Sequence, residues 1–300
     1  MARRPQGLLP TERPNPASRG LDTRSIRSIV RVINDEDARV ARAVRAQARA
    51  IEAGVEAIAA SMARGGRLFF VGAGTSGRLG ILEAAECPPT FGTPPSLIRA
   101  IMAGGPRAVF CAKEGAEDDP VTGGRRIRAA ARRGDAVVGV AASGVTPFVR
   151  GALLQARRMG CRTILVTSNP GTSIHGAEIV IAPGVGPEVV SGSTRMKCGT
   201  AAKLVLNTLT TASMIRLGKV YDNYMVDLRI TNAKLERRAL RILGHLTGLP
   251  PRRTGALLRE AGGSVKTGIL MARRGLGRAQ ARRRLAANGG FLRRALEERP

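Results

Sequence analysis

At 300 residues, 43% of them hydrophobic, the chain can bury a sizeable core, and it suits one large α/β domain with a small appendage. A net charge of +27 and a pI near 11.7 suggest nucleic acid or an anionic surface as a partner. The basic residues instead recur as Arg pairs along helical stretches (Arg125-Arg126, Arg132-Arg133, Arg157-Arg158), and only 3% of residues are the aromatics that stack bases, which weighs against specific nucleic-acid binding.

Residues 1–23 are rich in Pro, Arg and Ser and read as an extended N-terminal arm. From Ser25 to Arg64 the apolar spacing is helical: Ile29, Val32 and Ile33, then Val40, Ala43 and Val44 after Asp35-Glu36-Asp37. Two helices are expected there. Leu68-Phe69-Phe70-Val71 reads as a buried strand ending in glycines, followed by a helix to about Cys87, where Pro88-Pro89 marks a break. Further strands are expected over 96–102, 136–142, 163–167 and 178–182. Helices fall between them over about 120–133 and from Thr146, with Pro147 at the first position, to Gly160. Alternating strands and helices predict an α/β fold with a doubly wound, mostly parallel sheet flanked by helices. A long apolar helix over 199–217 and an amphipathic one over 226–243 follow. Gly248, Pro250 and Pro251 mark a linker to a small basic C-terminal helical appendage. The predicted division is an arm (1–23), a main domain (24–246) and the C-terminal domain (247–300).

Gly72-Ala73-Gly74-Thr75-Ser76-Gly77 has the dinucleotide spacing in the right strand-to-helix context. The second strand, however, ends Met102-Ala103-Gly104-Gly105, without the carboxylate that would hold a ribose, and no Gly-Lys-Ser/Thr follows to make a nucleotide-triphosphate loop. What is left is Gly74, Thr75 and Ser76 at a helix head, where N–H groups and the helix dipole favour an anion. The same chemistry recurs at Ser143 to Thr146, and again at Ser191, Ser193, Thr194 and Lys197 before a long helix. A single such loop is as readily a capped helix. Three in one α/β sheet predict a shared site for a phosphate monoester.

Four carboxyl groups, Glu114, Glu117, Asp118 and Asp119, cluster before Pro120, with Asp118 or Asp119 expected to cap the helix. Glu86 ends the helix after the glycine loop, and Glu83, one turn earlier, reads as a solvated helix glutamate. His175 and His245 have no metal-spaced partners, so no metal is expected. Cys87, Cys111, Cys161 and Cys198 form no CxxC pair and are expected as free thiols. No signal core or apolar run of membrane-spanning length is seen, so a cytoplasmic protein with no membrane partner is expected.

Taken together, Gly72 to Gly80, Ala85-Glu86-Cys87-Pro88-Pro89-Thr90-Phe91-Gly92, Glu114 to Asp118, Ser191 to Lys197, Gly218 to Asp227 and Ile33 to Asp37 resemble the N-acetylmuramic acid 6-phosphate etherases. The resemblance covers roughly residues 10–300. It implies a sugar-isomerase (SIS) fold, a homodimer and no cofactor. The implied reaction is cleavage of the D-lactyl ether of N-acetylmuramic acid 6-phosphate, in cell-wall sugar recycling. The family's two catalytic glutamates fall on Glu86 and Glu117. Val145 stands where the family usually has Arg, and Cys198 where it often has Ala.

The chemistry needs two carboxyl groups with separated pKa values. Ring-opening of the sugar gives an aldehyde that acidifies C2. A base removes the C2 proton, an acid protonates the ether oxygen at C3 as lactate leaves, and water adds to the resulting double bond. The alternative is a non-catalytic SIS-type regulator that binds a sugar phosphate and controls a partner protein. A nucleic-acid-binding regulator of this class would carry a helix-turn-helix domain, and residues 1–60 show none.

Overall fold

Short apolar runs form the five strands β1 (Leu68–Gly72), β2 (Ile98–Met102), β3 (Ala136–Val140), β4 (Arg162–Val166) and β5 (Ile179–Ile181). All pair in parallel, in the order β2-β1-β3-β4-β5. The structure, a computed structural model, describes residues 8–172 and 174–298. These fall into two compact units. One is the chain up to Ala84 with Ser96–Thr210; the other is Ala85–Pro95 with the chain from Thr211.

In the first unit the sheet is covered on both faces, as near-continuous apolar strands require. Alternate residues face opposite ways. Phe69, Val71, Val137 and Leu165 pack against α5 (Pro120–Ala130) and α6 (Pro147–Arg158) through Ile127, Phe148, Val149 and Leu153. On the other face, Gly80 of α4 (Gly74–Phe91) sits against Phe70, and Gly54 of α3 (Ala48–Ala63) against Ile164, Ile181 and Leu209 of α7 (Lys197–Arg216). The expected doubly wound sheet is therefore the observed one, with strand boundaries shifted by a residue or two.

α5 and α6 cross at backbone contact. A Cβ on Gly123 would strike the carbonyl of Phe148, and one on Gly151 the carbonyl of Pro120. Neither obstacle is a side chain that could swing away. Gly151→Ala should therefore destabilise the protein by about 1–3 kcal/mol through overpacking, read as a lower urea midpoint at unchanged slope. Wild-type stability would show that the two helices can part freely.

Several expectations need correction. The stretch 25–64 makes three helices rather than two: α1 (Ile26–Asp37), α2 (Val40–Arg45) and α3. Neither Pro nor Gly marks the breaks, so the composition gives no sign of them. Helix α4 does not break at Cys87. It continues through Pro88 and Pro89 to Phe91, each proline forgoing the N–H bond to the carbonyl four residues back, and ends within one turn of them. Gly92, at φ +64°, ends it. The amphipathic helix starts late, as α8 (Ala233–Thr247), where the Asn232 side chain accepts the N–H of Leu235. Before it, Val226 and Leu228 are buried two residues apart, an extended rather than a helical spacing.

The division at 246/247 also moves. Leu235, Ala239, Ile242 and Leu243 of α8 share a core with Leu258, Val265, Ile269, Leu270, Leu285 and Leu292. These come from α9 (Pro251–Glu260), α10 (Val265–Arg274), α11 (Arg278–Ala287) and α12 (Leu292–Glu297). The helices beyond the expected linker thus belong to one unit with α8. The described part of the arm carries 3-10 turns at Pro10–Glu12, Pro16–Ser18 and Leu21–Thr23, and residues 1–7 lie outside the described residues.

Candidate active site

In a sheet of order 2-1-3-4-5 the chain winds one way from β1 to β2 and the other way from β3 onward. The crevice at the carboxyl ends of β1 and β3 is where such folds accept ligands. Gly72 of β1 pairs with Val140 of β3, so the loops leaving the two strands start side by side. One is the glycine loop leading into α4, with Gly74 at φ +52° and Thr75 and Ser76 half-buried in the first turn. The other is the Ser143 loop leading into α6. There Ser143 Oγ accepts the N–H of Val145 at 3.2 Å, and Thr146, although at the cap position, makes no side-chain cap bond.

A pocket of about 200 Å³ opens beside the glycine loop. Ala73, Gly74 and Arg78 line one side, Met102 and Ala103 the end of β2, and Lys113, Glu114 and Glu117 the other side. Arg78 is also tied to the protein backbone. Its Nε and Nη2 donate to the carbonyls of Val109 and Ala108, at 2.7 and 3.0 Å, and so hold the connecting loop. Glu117 is exposed, in a 3-10 turn after Gly115. Asp119 caps α5 as expected, accepting the N–H of Thr122 at 2.9 Å, and this bonding holds its carboxyl below the usual aspartate range. Glu117 is thus left to the pocket while its neighbour serves the helix.

The third loop differs from expectation. Ser191 is exposed, and Ser193 and Thr194 are half-buried. The head of α7 already has an anion. Glu188, fully buried, accepts the N–H groups of Lys197 and Cys198 at 3.0 and 2.9 Å. The Lys197 side chain, expected to meet a phosphate, is 1% exposed and bound to Glu36. Its ammonium is therefore part of the framework in this arrangement. Burial pushes the Glu36 carboxyl up, but hydrogen bonds from Lys197 and Asn15 and the charges of Lys197 and Arg39 outweigh it, and the net shift is downward. The loop still adjoins the glycine loop: a Cβ on Gly199 would touch Thr75 Cγ2 at 3.5 Å.

Glu83, expected on a solvated face, is 4% exposed. It accepts from Asn207 and, at 2.7 Å, from Thr210, which joins α4 to α7 within the first unit. Glu86 belongs to the second unit, and its side chain is exposed. The helix carries on past it, and its carbonyl accepts Thr90 Oγ1 at 2.8 Å. In the same unit Asp227 binds Lys219 at 3.1 Å and Lys266 at 2.7 Å. The four cysteines are free, and burial pushes the Cys198 thiol up to about 12, which makes it inert.

Residues 50–157 match the family described as the glucokinase regulatory protein N-terminal SIS domain. An N-acetylmuramic acid 6-phosphate etherase of Symbiobacterium thermophilum is 53% identical over 251 residues, 83% of this chain and 84% of that protein. One of Salinibacter ruber is 49% identical over 292 residues, 96% and 94% of the two chains. Among solved structures, a phosphoheptose isomerase from Neisseria gonorrhoeae aligns with a TM-score of 0.50 at 16% identity, over 63% of this chain and 98% of that one. This last likeness is one of fold.

Proposed function

The chain belongs to the N-acetylmuramic acid 6-phosphate etherase family, and from that premise we propose that it is a carbon–oxygen lyase cleaving the D-lactyl ether of N-acetylmuramic acid 6-phosphate to N-acetylglucosamine 6-phosphate and D-lactate. The observation that carries the chemistry is the pocket where Glu117 faces the glycine loop. In this reading the Glu117 carboxylate takes the C2 proton of the ring-opened sugar. Glu86 delivers a proton to the C3 oxygen as lactate leaves, and water then adds at C3. The phosphate lies on the loops of Gly74, Thr75 and Ser76 and of Ser143 and Thr146, with Ser191, Ser193 and Thr194 beside them. The reaction requires no redox or electron-sink cofactor. Incubation with N-acetylmuramic acid 6-phosphate should release D-lactate, and its failure to appear would refute the reading.

The regulator reading draws on the domain match over residues 50–157 alone, whereas the etherase relatives align over most of the chain. No helix among the described residues is long and apolar enough to cross a membrane. Action in the cytoplasm, in cell-wall sugar recycling and as a homodimer is part of the proposal. For association, Ile26 and Val30, four residues apart on α1 and 80% and 50% exposed, offer an apolar stripe to cover.

The phosphate loops can be tested singly. Ser76→Ala should raise KM about tenfold, the scale of a hydrogen bond to a charged group, with kcat little changed. Ser143→Ala should do the same and also loosen its loop, since it loses the bond to the Val145 N–H. Wild-type kinetics in both would place the phosphate elsewhere.

A further inference from the structure

The N-terminal arm is bonded to the two loops on either side of the α7 head. Thr11, fully buried, donates its N–H to Asn169 Oδ1 at 3.2 Å, and its Oγ1 accepts Asn169 Nδ2 at 3.0 Å. Asn169 is also fully buried. The same Nδ2 donates to the carbonyls of Ala142 and Ser143, at 3.1 and 3.2 Å. Four residues on, Asn15 Nδ2 donates to the carbonyl of Pro187 at 3.0 Å and to Glu36 Oε2 at 2.8 Å. Glu36 in turn binds Lys197. Between them, the carbonyl of Arg13 accepts Ser191 Oγ at 3.3 Å. A segment whose composition suggests a loose tail therefore has two buried polar side chains, one bonded to Asn169, which holds the Ser143 loop, the other to Pro187, four residues before Ser191. Buried polar groups are costly unless fully bonded, and these are bonded to the backbone that carries the site.

We propose that Thr11 and Asn15 are positioning residues of the ligand site, acting through Asn169 and through Pro187 and Glu36 to hold the Ser143 and Ser191 loops where a sugar phosphate meets them. The assignment rests on reading those loops as the phosphate cradle. A merely structural arm would lower stability and leave the affinity of the folded protein unchanged. A positioning arm changes affinity at a temperature where the protein is fully folded.

The test compares Thr11→Val, which keeps shape and loses the acceptor for Asn169, with Thr11→Ser, which keeps the hydroxyl, and with Asn15→Ala. Each is measured in the full chain by calorimetric binding of N-acetylglucosamine 6-phosphate and by lactate-release kinetics. Thr11→Val and Asn15→Ala should raise both Kd and KM about tenfold, with kcat within about threefold of wild type, the effect of a displaced loop forfeiting one bond to the charged phosphate. Thr11→Ser should restore wild-type values. Folded variants with lowered Tm and unchanged Kd overturn the proposal. If Thr11→Val does not fold, Asn15→Ala decides, since Glu36 keeps Lys197 and Arg39 there. A wild type that binds N-acetylglucosamine 6-phosphate but releases no lactate refutes the etherase reading and leaves Kd to judge the arm. A wild type that does not bind it overturns the arm's role.

Discussion

Glu117→Gln should abolish two things together: release of D-lactate, and exchange of the C2 hydrogen of N-acetylglucosamine 6-phosphate with solvent deuterium. Exchange at C2 needs only the base, because proton abstraction precedes departure of the ether oxygen. Glu86→Gln should therefore lose lactate release while keeping part of the exchange. Each rate should fall by about 10²–10⁴, the scale of removing one general acid or base. Folding should survive both changes, since both side chains are exposed and Gln is nearly isosteric. Exchange that persists in Glu117→Gln and vanishes in Glu86→Gln would reverse the two roles. Normal turnover in both would remove them from the chemistry.

Lys197→Met should destabilise the first unit by about 3–5 kcal/mol near neutral pH, because it strands the buried Glu36 carboxylate. Arg39, at 3.0 Å, and Asn15 remain, so the lower end of that range is expected. The effect has a definite sign with pH. In the wild type the Glu36 pKa is lowered. Its contribution to stability is thus complete above the unfolded carboxyl value and is lost as pH falls through the folded one. Without Lys197, burial dominates and raises the pKa of Glu36. The variant then loses stability as pH rises from the unfolded value through the raised one. The gap between the two proteins should be small near pH 4 and full at pH 7, measured by urea unfolding. Adding Glu36→Gln should recover most of the loss. A gap that does not vary with pH would mean that Lys197 leaves the titration of Glu36 unchanged.

The sheet was legible because a buried parallel strand leaves a plain mark, a run of apolar residues closed by glycine. The loops at its carboxyl ends were legible for the same reason, since helix heads select Gly, Ser and Thr. Charge pairing over long sequence separation left almost no mark. Lys197 lies 161 residues from Glu36, and in the sequence it is simply a cation after two hydroxyls. One hint was available: Asp35, Glu36 and Asp37 close α1 at the end where a helix dipole repels carboxylates. Glu83 shows the converse. Its charge reads as that of a surface residue, but it lies three residues after Gly80 and four before Cys87 on the buried face of α4, where Thr210 of α7 meets it. The Pro88-Pro89 pair misled because proline weakens a helix without always ending it, and here α4 runs two residues past the pair.

The glycines at the α5–α6 crossing have a meaning beyond packing. Pro120, whose carbonyl Gly151 clears, is the first residue of α5, directly after the turn that carries Glu117. Phe148, whose carbonyl Gly123 clears, is the second residue of α6, directly after the Ser143 loop. Backbone against backbone, with no side chain between to yield, sets the spacing of these two helix heads much as a gauge block sets a gap. The Glu117 turn and the Ser143 loop inherit that spacing, so a single methyl group added at the crossing would reset the distance between the two.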